Sequence, residues 1–218
     1  MRLFSYKLTD DTGFAPNPFF GVLTLATCKP GIRKAKRCGD WIAGFTSQSL
    51  NGDGVGNERL IFLMQITDII EQYEYFGLHD FQAKIPDLVR PECRYRAGDN
   101  IYRPLTNHPQ GPDDFEQVRN PNHWNPTDDC EDRDHKIKDL SGRRVLVSSN
   151  FYYFGGKPRE VPLEARPTIP SGQARYGFMT HDEARARAFV EWVHGRFRSG
   201  VAAAPHKWPP NDPSWENG

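Results

Sequence analysis

Two apolar segments separated by a polar loop constrain the fold of this chain more than any other feature. Residues 41–46 and 60–70 are rich in Ile, Leu and Phe, in patterns typical of β-strands. Gly39 and Asp40 precede the first segment, and glycine permits the sharp turn by which a chain enters a strand. The glycine-rich loop 51–56 is too long for a two-residue hairpin turn. The sequence predicts two neighbouring strands with a flexible loop at one end.

The same patterns predict the remaining elements. Strands are expected at residues 3–8, 22–27 and 144–155, and helical turns at 29–37 and 78–83. Thr180 and Glu183 form a capping-box sequence, after which apolar residues recur at helical spacing. We interpret this amphipathic segment as a helix that docks on the sheet; a DNA-reading helix is the alternative.

The charge balance excludes a strongly basic surface of the kind that coats DNA. The 218 residues include 28 Lys and Arg and 28 Asp and Glu. Positive charge is nevertheless concentrated in residues 29–37, where Lys29, Arg33, Lys34 and Arg37 are candidates for binding phosphates. A solvated basic turn is the other interpretation of these residues.

The cysteines and the amino terminus indicate a cytoplasmic setting. Cys28, Cys38, Cys93 and Cys130 form no C-x-x-C pair, and cysteines scattered in this way are most often small core residues. The first residues lack the apolar centre of a signal peptide, and no apolar run reaches membrane-spanning length. We therefore expect free thiols, no bound cofactor and no membrane partner.

Several short motifs follow one another along residues 1–156. They are Gly13-Phe-Ala-Pro-Asn-Pro-Phe19, Thr27-Cys-Lys-Pro30, Gly39-Asp-Trp41, Gly98-Asp-Asn-Ile-Tyr102 and Phe151-Tyr-Tyr-Phe-Gly155. This set resembles the second nucleotide modification associated domain family. The order of strands around the Gly-Asp turn also resembles the PUA, ASCH and EVE superfamily of small β-barrels.

The resemblance implies an α+β fold: a PUA/EVE-like, mostly antiparallel β-barrel with a few short helices and a carboxy-terminal docking helix. Residues 1–156 would form this domain, with a long irregular insertion at about 104–142 that a minimal barrel lacks. Residues 157–199 would form a helical extension that packs on the barrel. Residues 200–218, rich in proline and without periodicity, would be a flexible tail.

The resemblance also implies a role in bacterial or phage systems for DNA modification or defence. Related barrels hold a flipped, modified base in an aromatic pocket, so the partner expected here is DNA with modified bases, flipped or single-stranded. Other DNA-modification or restriction proteins are further expected partners. One alternative is an enzyme that modifies, hydrolyses or removes the base in the same pocket. Another is a structural subunit of a defence complex.

Candidates for contact with a base are aromatic and amide side chains near loops and strand ends. Aromatic rings stack on bases, and amides can pair with base edges. Ordinary core packing is the alternative for the aromatic residues, with the first loop folded onto the core, and a turn that satisfies its own backbone is the alternative for the 98–102 motif. The candidates are Phe14, Asn17, Phe19, Trp41, Ser47, Tyr75, Asn100 and Tyr102.

Two residues are candidates for acid–base chemistry. Asp99 follows a glycine in a polar motif and could orient a water, or it could cap its own turn. His123 is the other candidate, because imidazole is the usual general acid or base of enzymes, although a lone loop histidine is often only solvated. The acidic residues around His135 match neither a zinc nor a calcium spacing, so we predict no metal site. Motifs for NTP hydrolysis, esterases and zincins are absent.

Overall fold

The computed structural model describes residues 1–213. Within these residues, thirteen short strands, six α-helices and two 3₁₀ segments alternate along the sequence. The strands are β1 (Leu3–Lys7), β2 (Leu23–Leu25), β3 (Trp41–Phe45), β4 (Leu60–Gln65), β5 (Asp68–Glu71), β6 (Tyr102–Pro104), β7 (Phe115–Gln117), β8 (Trp124–Asn125), β9 (Cys130–Glu131), β10 (Arg144–Ser148), β11 (Asn150–Tyr153), β12 (Phe178–Met179) and β13 (Gly200–Val201). The helices are α1 (Pro30–Ala35), α2 (Gln48–Asn51), α3 (Gln72–Tyr75), α4 (Cys93–Arg96), α5 (Arg133–Leu140) and α6 (Glu183–His194), with 3₁₀ segments at His79–Lys84 and Pro112–Asp114.

Most of the longer strands belong to two sheets. The large sheet has six strands in the order β12-β1-β3-β4-β11-β13, and the small sheet has the order β2-β10-β5. Two pairs in the large sheet are parallel, β1 with β3 and β11 with β13, and the other pairs in both sheets are antiparallel. The mixture of sheets with separate short helices agrees with the predicted α+β class.

A bent pair of strands joins the two sheets. β4 pairs with β11 in the large sheet, and their continuations β5 and β10 pair in the small one. At the bend, the Thr67 amide donates to the Val147 carbonyl oxygen at 2.9 Å. Each predicted long strand, 60–70 and 144–155, is therefore divided between two sheets.

The predicted closed barrel is not formed by residues 1–213. Both sheets are open: β12 and β13 are the edges of the large sheet, and β2 and β5 are the edges of the small one. The space between the sheets is filled by a core of large apolar side chains, which includes Leu25, Phe62 and Leu146. A chain that folds over at one bend buries this core without closing the sheet. The hollow interior expected of a base-binding barrel is thus occupied by side chains.

Helix α6 covers the other face of the large sheet, as its apolar spacing predicts. Phe189 and Val193 are fully buried against strand residues such as Ala43 and Leu63. The N-cap differs from the prediction. The Asp182 carboxylate caps the helix by accepting the Arg185 amide at 3.1 Å. The predicted cap, Thr180, instead accepts the Thr168 amide through Oγ1. No helix in residues 1–213 is both long enough and apolar enough to cross a bilayer.

The predicted insertion, residues 104–142, is folded. It contributes Phe115 and Leu140 to a separate apolar cluster with Phe14 and Tyr102. Helix α5 begins at the N-cap Asp132, whose carboxylate accepts the His135 amide at 3.0 Å. The cluster shows why a segment of low apolar periodicity folds: its few apolar residues pack against the first loop.

Residues 200–213 pack on the domain, although their composition predicts a flexible tail. β13 pairs with β11, and the Trp208 ring stacks on Phe19 with centroids 5.0 Å apart. The Trp208 indole donates to the Thr12 carbonyl oxygen at 2.7 Å. This proline-rich segment is therefore docked on the domain, and such docking leaves no apolar periodicity in the sequence. The remainder of the predicted tail, 214–218, lies outside the described residues.

We expect Trp208→Ala to lower the free energy of unfolding by about 1–2 kcal/mol, since it removes a half-buried ring and a hydrogen bond. Urea denaturation followed by circular dichroism measures the effect. Leu163→Ala, at a side chain that is 85% exposed, is the control and should leave stability unchanged. Equal midpoints for wild type and Trp208→Ala would contradict the docking of this segment.

Candidate functional site

Cys28 lies in a strained turn between β2 and α1. Its φ is +53°, and that of Lys29 is +39°, in the left-handed region that side chains other than glycine rarely adopt. A nucleophile on a sharp strand-to-helix turn is held away from the sheet, with its side chain exposed to an incoming substrate. The backbone at Cys28 has this strand–turn–helix arrangement.

The Cys28 thiol lies beside a buried histidine–aspartate pair. Sγ is 3.6 Å from His123 Nε2, and His123 Nδ1 is 2.8 Å from Asp139 Oδ2. His123 belongs to the loop before β8, and Asp139 lies in the last turn of α5. His123 is 7% exposed and Asp139 is fully buried. The order thiol, imidazole, carboxylate is the arrangement that activates nucleophiles in cysteine enzymes.

Hydrogen bonds fix Asp139 on three sides. Oδ1 accepts the Cys28 amide at 2.6 Å, and Oδ2 accepts the Tyr102 hydroxyl at 2.9 Å as well as facing His123. The carboxylate therefore sets both the position of the Cys28 backbone and the orientation of the imidazole. Because burial, and next the Asp139 charge, raise the pKa of Tyr102, its phenol remains a donor.

The Arg33 side chain links the Cys28 turn to helix α5 and strand β10. Its guanidinium donates to the Cys28 carbonyl oxygen at 2.9 Å, to the Arg144 carbonyl oxygen at 2.7 Å and to the Asp139 carbonyl oxygen. A further bond reaches Gln72 Oε1 at 3.0 Å. The side chain is fully buried, and these acceptors replace the water that burial removes.

A small pocket opens next to the thiol. It has a volume of about 140 Å³, and its walls include Tyr6, Phe14, Cys28, Lys29 and His123. The Phe14 ring meets the His123 ring edge-on, with centroids 4.8 Å apart. Cys28 and His123 thus share a cavity that a substrate group can enter. Larger surface cavities lie elsewhere, but they do not contain these residues.

The thiol is neutral in the resting protein. Burial, and then the Asp139 charge, raise the pKa of Cys28 to about 12, while Arg33 and other cations oppose this shift. Thiolate is the reactive form, so the nucleophile must be generated by passing its proton to a base. His123 Nε2 is the nitrogen that faces Sγ.

The same three residues form the one group in residues 1–213 that could hold a metal ion, with donor atoms within 4.8 Å of one another. The ring geometry favours the catalytic interpretation. Sγ faces Nε2 and the carboxylate faces Nδ1, so the thiol and the carboxylate lie on different nitrogens of one imidazole. An ion bound between Sγ and Nε2 would have Asp139 as an orienting residue, not as a ligand. The sequence-based expectation of no metal stays a prediction.

Of the predicted base-binding residues, Phe14 lines the pocket and Tyr102 supports it through Asp139. The others lie in the interior. Trp41 packs under α6, Ser47 caps α2 by accepting the Leu50 amide, and Phe19 lies beneath Trp208. The contacts of Trp41 and Phe19 match the core-packing alternative, whereas the capping role of Ser47 was not predicted. A base-binding role for these three residues stays a prediction.

Asp99 belongs to an interior polar network that lies apart from His123. Its oxygens accept the Thr24 hydroxyl at 2.6 Å and the Tyr75 hydroxyl at 2.9 Å. Burial raises the pKa of Asp99, and the Lys84 charge opposes this effect. Asp99 is fully buried and does not line the pocket. We therefore assign it a structural role and pair His123 with Asp139 instead.

Asn17 and Asn100 complete this network. The buried Lys84 ammonium donates to Asn17 Oδ1 at 2.7 Å, and the Asn17 amide donates to the Ala97 carbonyl oxygen. Asn100 donates to the carbonyl oxygens of Tyr75 and Phe81. Both amides are therefore used to satisfy backbone and side-chain groups within the protein.

The four predicted phosphate-binding residues have different surroundings. Lys29 lines the pocket, and Lys34 lines an open surface cavity with Arg143 and Arg144. Arg37 is exposed, but Arg33 is fully buried and already occupied by carbonyl oxygens. Because burial removes Arg33 from solvent, its predicted contact with phosphate does not fit the structure.

Sequence reasoning missed Cys28 and Asp139 as functional residues. A signal for Cys28 was present, since Thr27-Cys-Lys-Pro30 is one of the family-like motifs and follows a predicted buried strand. No sequence pattern distinguishes Asp139 from the many other acidic side chains between positions 113 and 139.

The open sheets and the buried thiol–imidazole–carboxylate group define an α+β protein with a candidate thiol active site. The chain matches the family model of nucleotide modification associated domain 2 over residues 1–212, and it belongs to this family. The resemblance of residues 1–156 is thereby confirmed, and the match extends through α6 and Trp208. The broader likeness to PUA and EVE proteins stays a prediction. No curated protein and no solved structure matches the chain.

We expect Arg33→Lys to lower the free energy of unfolding by about 3 kcal/mol or more, because an ammonium cannot reach acceptors arranged around a planar guanidinium. Urea denaturation measures the loss. Arg37→Lys, at an exposed arginine in the same basic segment, is the matched control and should change stability little. Equal losses in both variants would contradict the role given to Arg33.

The raised pKa of Cys28 predicts the pH dependence of its alkylation. In the native protein, the rate with iodoacetamide should keep rising above about pH 10, since thiolate forms only as pH approaches the folded pKa. In the urea-unfolded protein, the rate at the same cysteine should level off near about pH 9. Peptide mass spectrometry follows Cys28 separately from the other cysteines. A native plateau below about pH 7 would instead indicate a resting thiolate–imidazolium pair.

Proposed function

We propose that this protein is a cysteine-dependent enzyme of a nucleotide-modification system, with Cys28 as its nucleophile. The observation that carries the proposal is the alignment of Cys28 Sγ, the two His123 nitrogens and Asp139 Oδ2, at 3.6 Å and 2.8 Å, on the wall of a pocket. Membership of a nucleotide modification associated family supplies the setting. Of the functions that the sequence left open, the enzyme is the one that this geometry favours.

Each residue then has a defined role. His123 Nε2 takes the Sγ proton as sulfur attacks an electrophilic carbon, and it later returns a proton to the leaving group. Asp139 accepts from Nδ1, which holds the imidazole in the required tautomer and stabilises its positive form. Burial keeps the thiol neutral until this transfer, so the free enzyme does not carry a reactive thiolate.

The pocket suits the modified part of a nucleotide better than a whole nucleotide. Pockets that enclose complete small molecules have volumes of about 300–1,000 Å³, and this one has about 140 Å³. The base itself would lie outside the pocket, and its substituent would enter between walls that include the buried Phe14 ring. A modified base in DNA, flipped or single-stranded, is a substrate that could present its substituent in this way.

Recognition of a modified base without turnover is the second candidate function. It is favoured by the presence of an aromatic residue and a cation, Phe14 and Lys29, in the same pocket. A reader of this kind needs contacts with the base but no proton transfer. The buried His123–Asp139 pair is then unexplained, so we rank this function second.

We expect Cys28→Ser to reduce turnover of modified nucleotides by about 10³-fold or more, and His123→Gln by about 10²- to 10⁴-fold. The assay incubates the protein with oligonucleotides and nucleotides that carry modified bases. Mass spectrometry measures the nucleosides before and after, and the mass of the Cys28 peptide reports a covalent intermediate.

Cys130→Ser is the matched control, because Cys130 is exposed and lies outside the pocket. It should retain full activity. Tight binding of modified oligonucleotides with neither conversion nor an adduct on Cys28 would reject the enzyme and leave the reader. Activity that survives Cys28→Ser would reject Cys28 as the nucleophile.

A further inference from the structure

The Tyr6 hydroxyl is a buried polar group that no atom of residues 1–213 satisfies. Tyr6 is 1% exposed, and its oxygen has no hydrogen-bond partner among the described residues. An unsatisfied hydroxyl of this kind costs about 1–3 kcal/mol of stability. Tyr6 lines the pocket that contains the Cys28 thiol, so a bound ligand could satisfy this hydroxyl.

The Tyr6 ring is held in place from two sides. Phe62 packs edge-on with centroids 5.9 Å apart, and Lys29 Nζ lies 5.0 Å from the centre of the Tyr6 ring. Burial, followed by the charges of Cys28 and Asp11, raises the pKa of Tyr6, so the phenol keeps its proton. A fixed neutral hydroxyl beside a nucleophile is suited to donate to a substrate oxygen.

Lys29 places a positive charge in the same pocket. Its ammonium donates to Gln173 Oε1 at 3.2 Å, and no carboxylate of residues 1–213 forms an ion pair with it. Burial lowers the pKa of Lys29, which reflects the partial loss of water around the charge. A partly desolvated cation without an acidic partner favours an anionic group on the ligand.

We propose that the substrate group is a carboxamide or ester that also carries a carboxylate, with its carbonyl oxygen on Tyr6 and its carboxylate on Lys29. This inference rests on the proposed function and names its substrate class. The pocket of about 140 Å³ has room for such a side group on a modified base.

The step is an acyl transfer. Cys28 Sγ attacks the carbonyl carbon while His123 Nε2 takes the thiol proton, and the carbonyl electron pair moves to the oxygen that Tyr6 stabilises. The intermediate collapses to a thioester, and the amine or alcohol leaves with the proton from His123. Water, or a second amine, then attacks the thioester and releases Cys28.

Two ester probes of similar size test this assignment. Mono(4-nitrophenyl) glutarate carries the carboxylate, and 4-nitrophenyl pentanoate has a methyl group in its place. Release of nitrophenolate gives the acylation rate, and mass spectrometry of the intact protein and its peptides locates the thioester. We expect the wild type to react with the glutarate ester at least about tenfold faster, relative to a free thiol.

Variants separate the two contacts. Lys29→Gln should abolish the preference for glutarate, so that the two esters acylate Cys28 at similar rates relative to a free thiol. Tyr6→Phe should slow acylation by both esters about 10²-fold without loss of stability, because the lost hydroxyl had no partner. Tyr153→Phe is the matched control: this buried hydroxyl bonds to Asp11 at 2.5 Å, so its loss should affect stability but not acylation.

The outcomes distinguish this inference from the proposed function. Acylation of Cys28 that requires His123 but is indifferent to Tyr6→Phe and Lys29→Gln would overturn the substrate class and leave the nucleophile intact. Absence of acylation at Cys28 with both esters would overturn the nucleophile and the substrate class together.

Discussion

The buried guanidinium of Arg33 is the interaction on which the rest of the site depends. It lies where the turn after β2, helix α5 and strand β10 meet, and it donates to a carbonyl oxygen from each. A buried cation is stable only when its donors are satisfied, so these segments must come together in one arrangement. Gly142 is part of this constraint, because a Cβ there would lie 2.4 Å from the Arg33 Cζ. The position of Cys28 relative to Asp139 follows from this packing.

The site combines a strained turn with a buried carboxylate. Cys28 adopts a positive φ, and the Asp139 carboxylate stabilises this backbone by accepting its amide. The same carboxylate orients His123, so one side chain sets the backbone of the nucleophile and the direction of its base. Removing Asp139 would therefore disturb the Cys28 backbone and the His123 ring at once. Cys28 and His123 therefore both depend on one buried carboxylate for their positions.

Much of the fold could be predicted from the sequence, because apolar periodicity reports which faces are buried. The predicted strand at 41–46 corresponds to β3, and the predicted strand at 60–70 corresponds to β4 and β5. Apolar residues at helical spacing, including Phe189 and Val193, predicted α6. The bend that divides β4 from β5 was not predicted, since both sides of it are apolar. The bend places β4 and β5 in two different sheets, both of them open. Residues 200–213 were predicted as a tail, because stacking such as that of Trp208 on Phe19 has no local signature.

The site was harder to predict than the fold. Phe14, Lys29 and His123 were predicted and lie in one pocket, but their roles depend on Cys28 and Asp139, which come from distant parts of the chain. The unpaired hydroxyl of Tyr6 is visible only when its surroundings are known. The two partners of the thiol belong to the segment between residues 104 and 142. A ribosome must therefore release the chain beyond Asp139 before this cysteine can meet its imidazole and carboxylate, so a nascent or truncated product that ends earlier carries a thiol with neither partner.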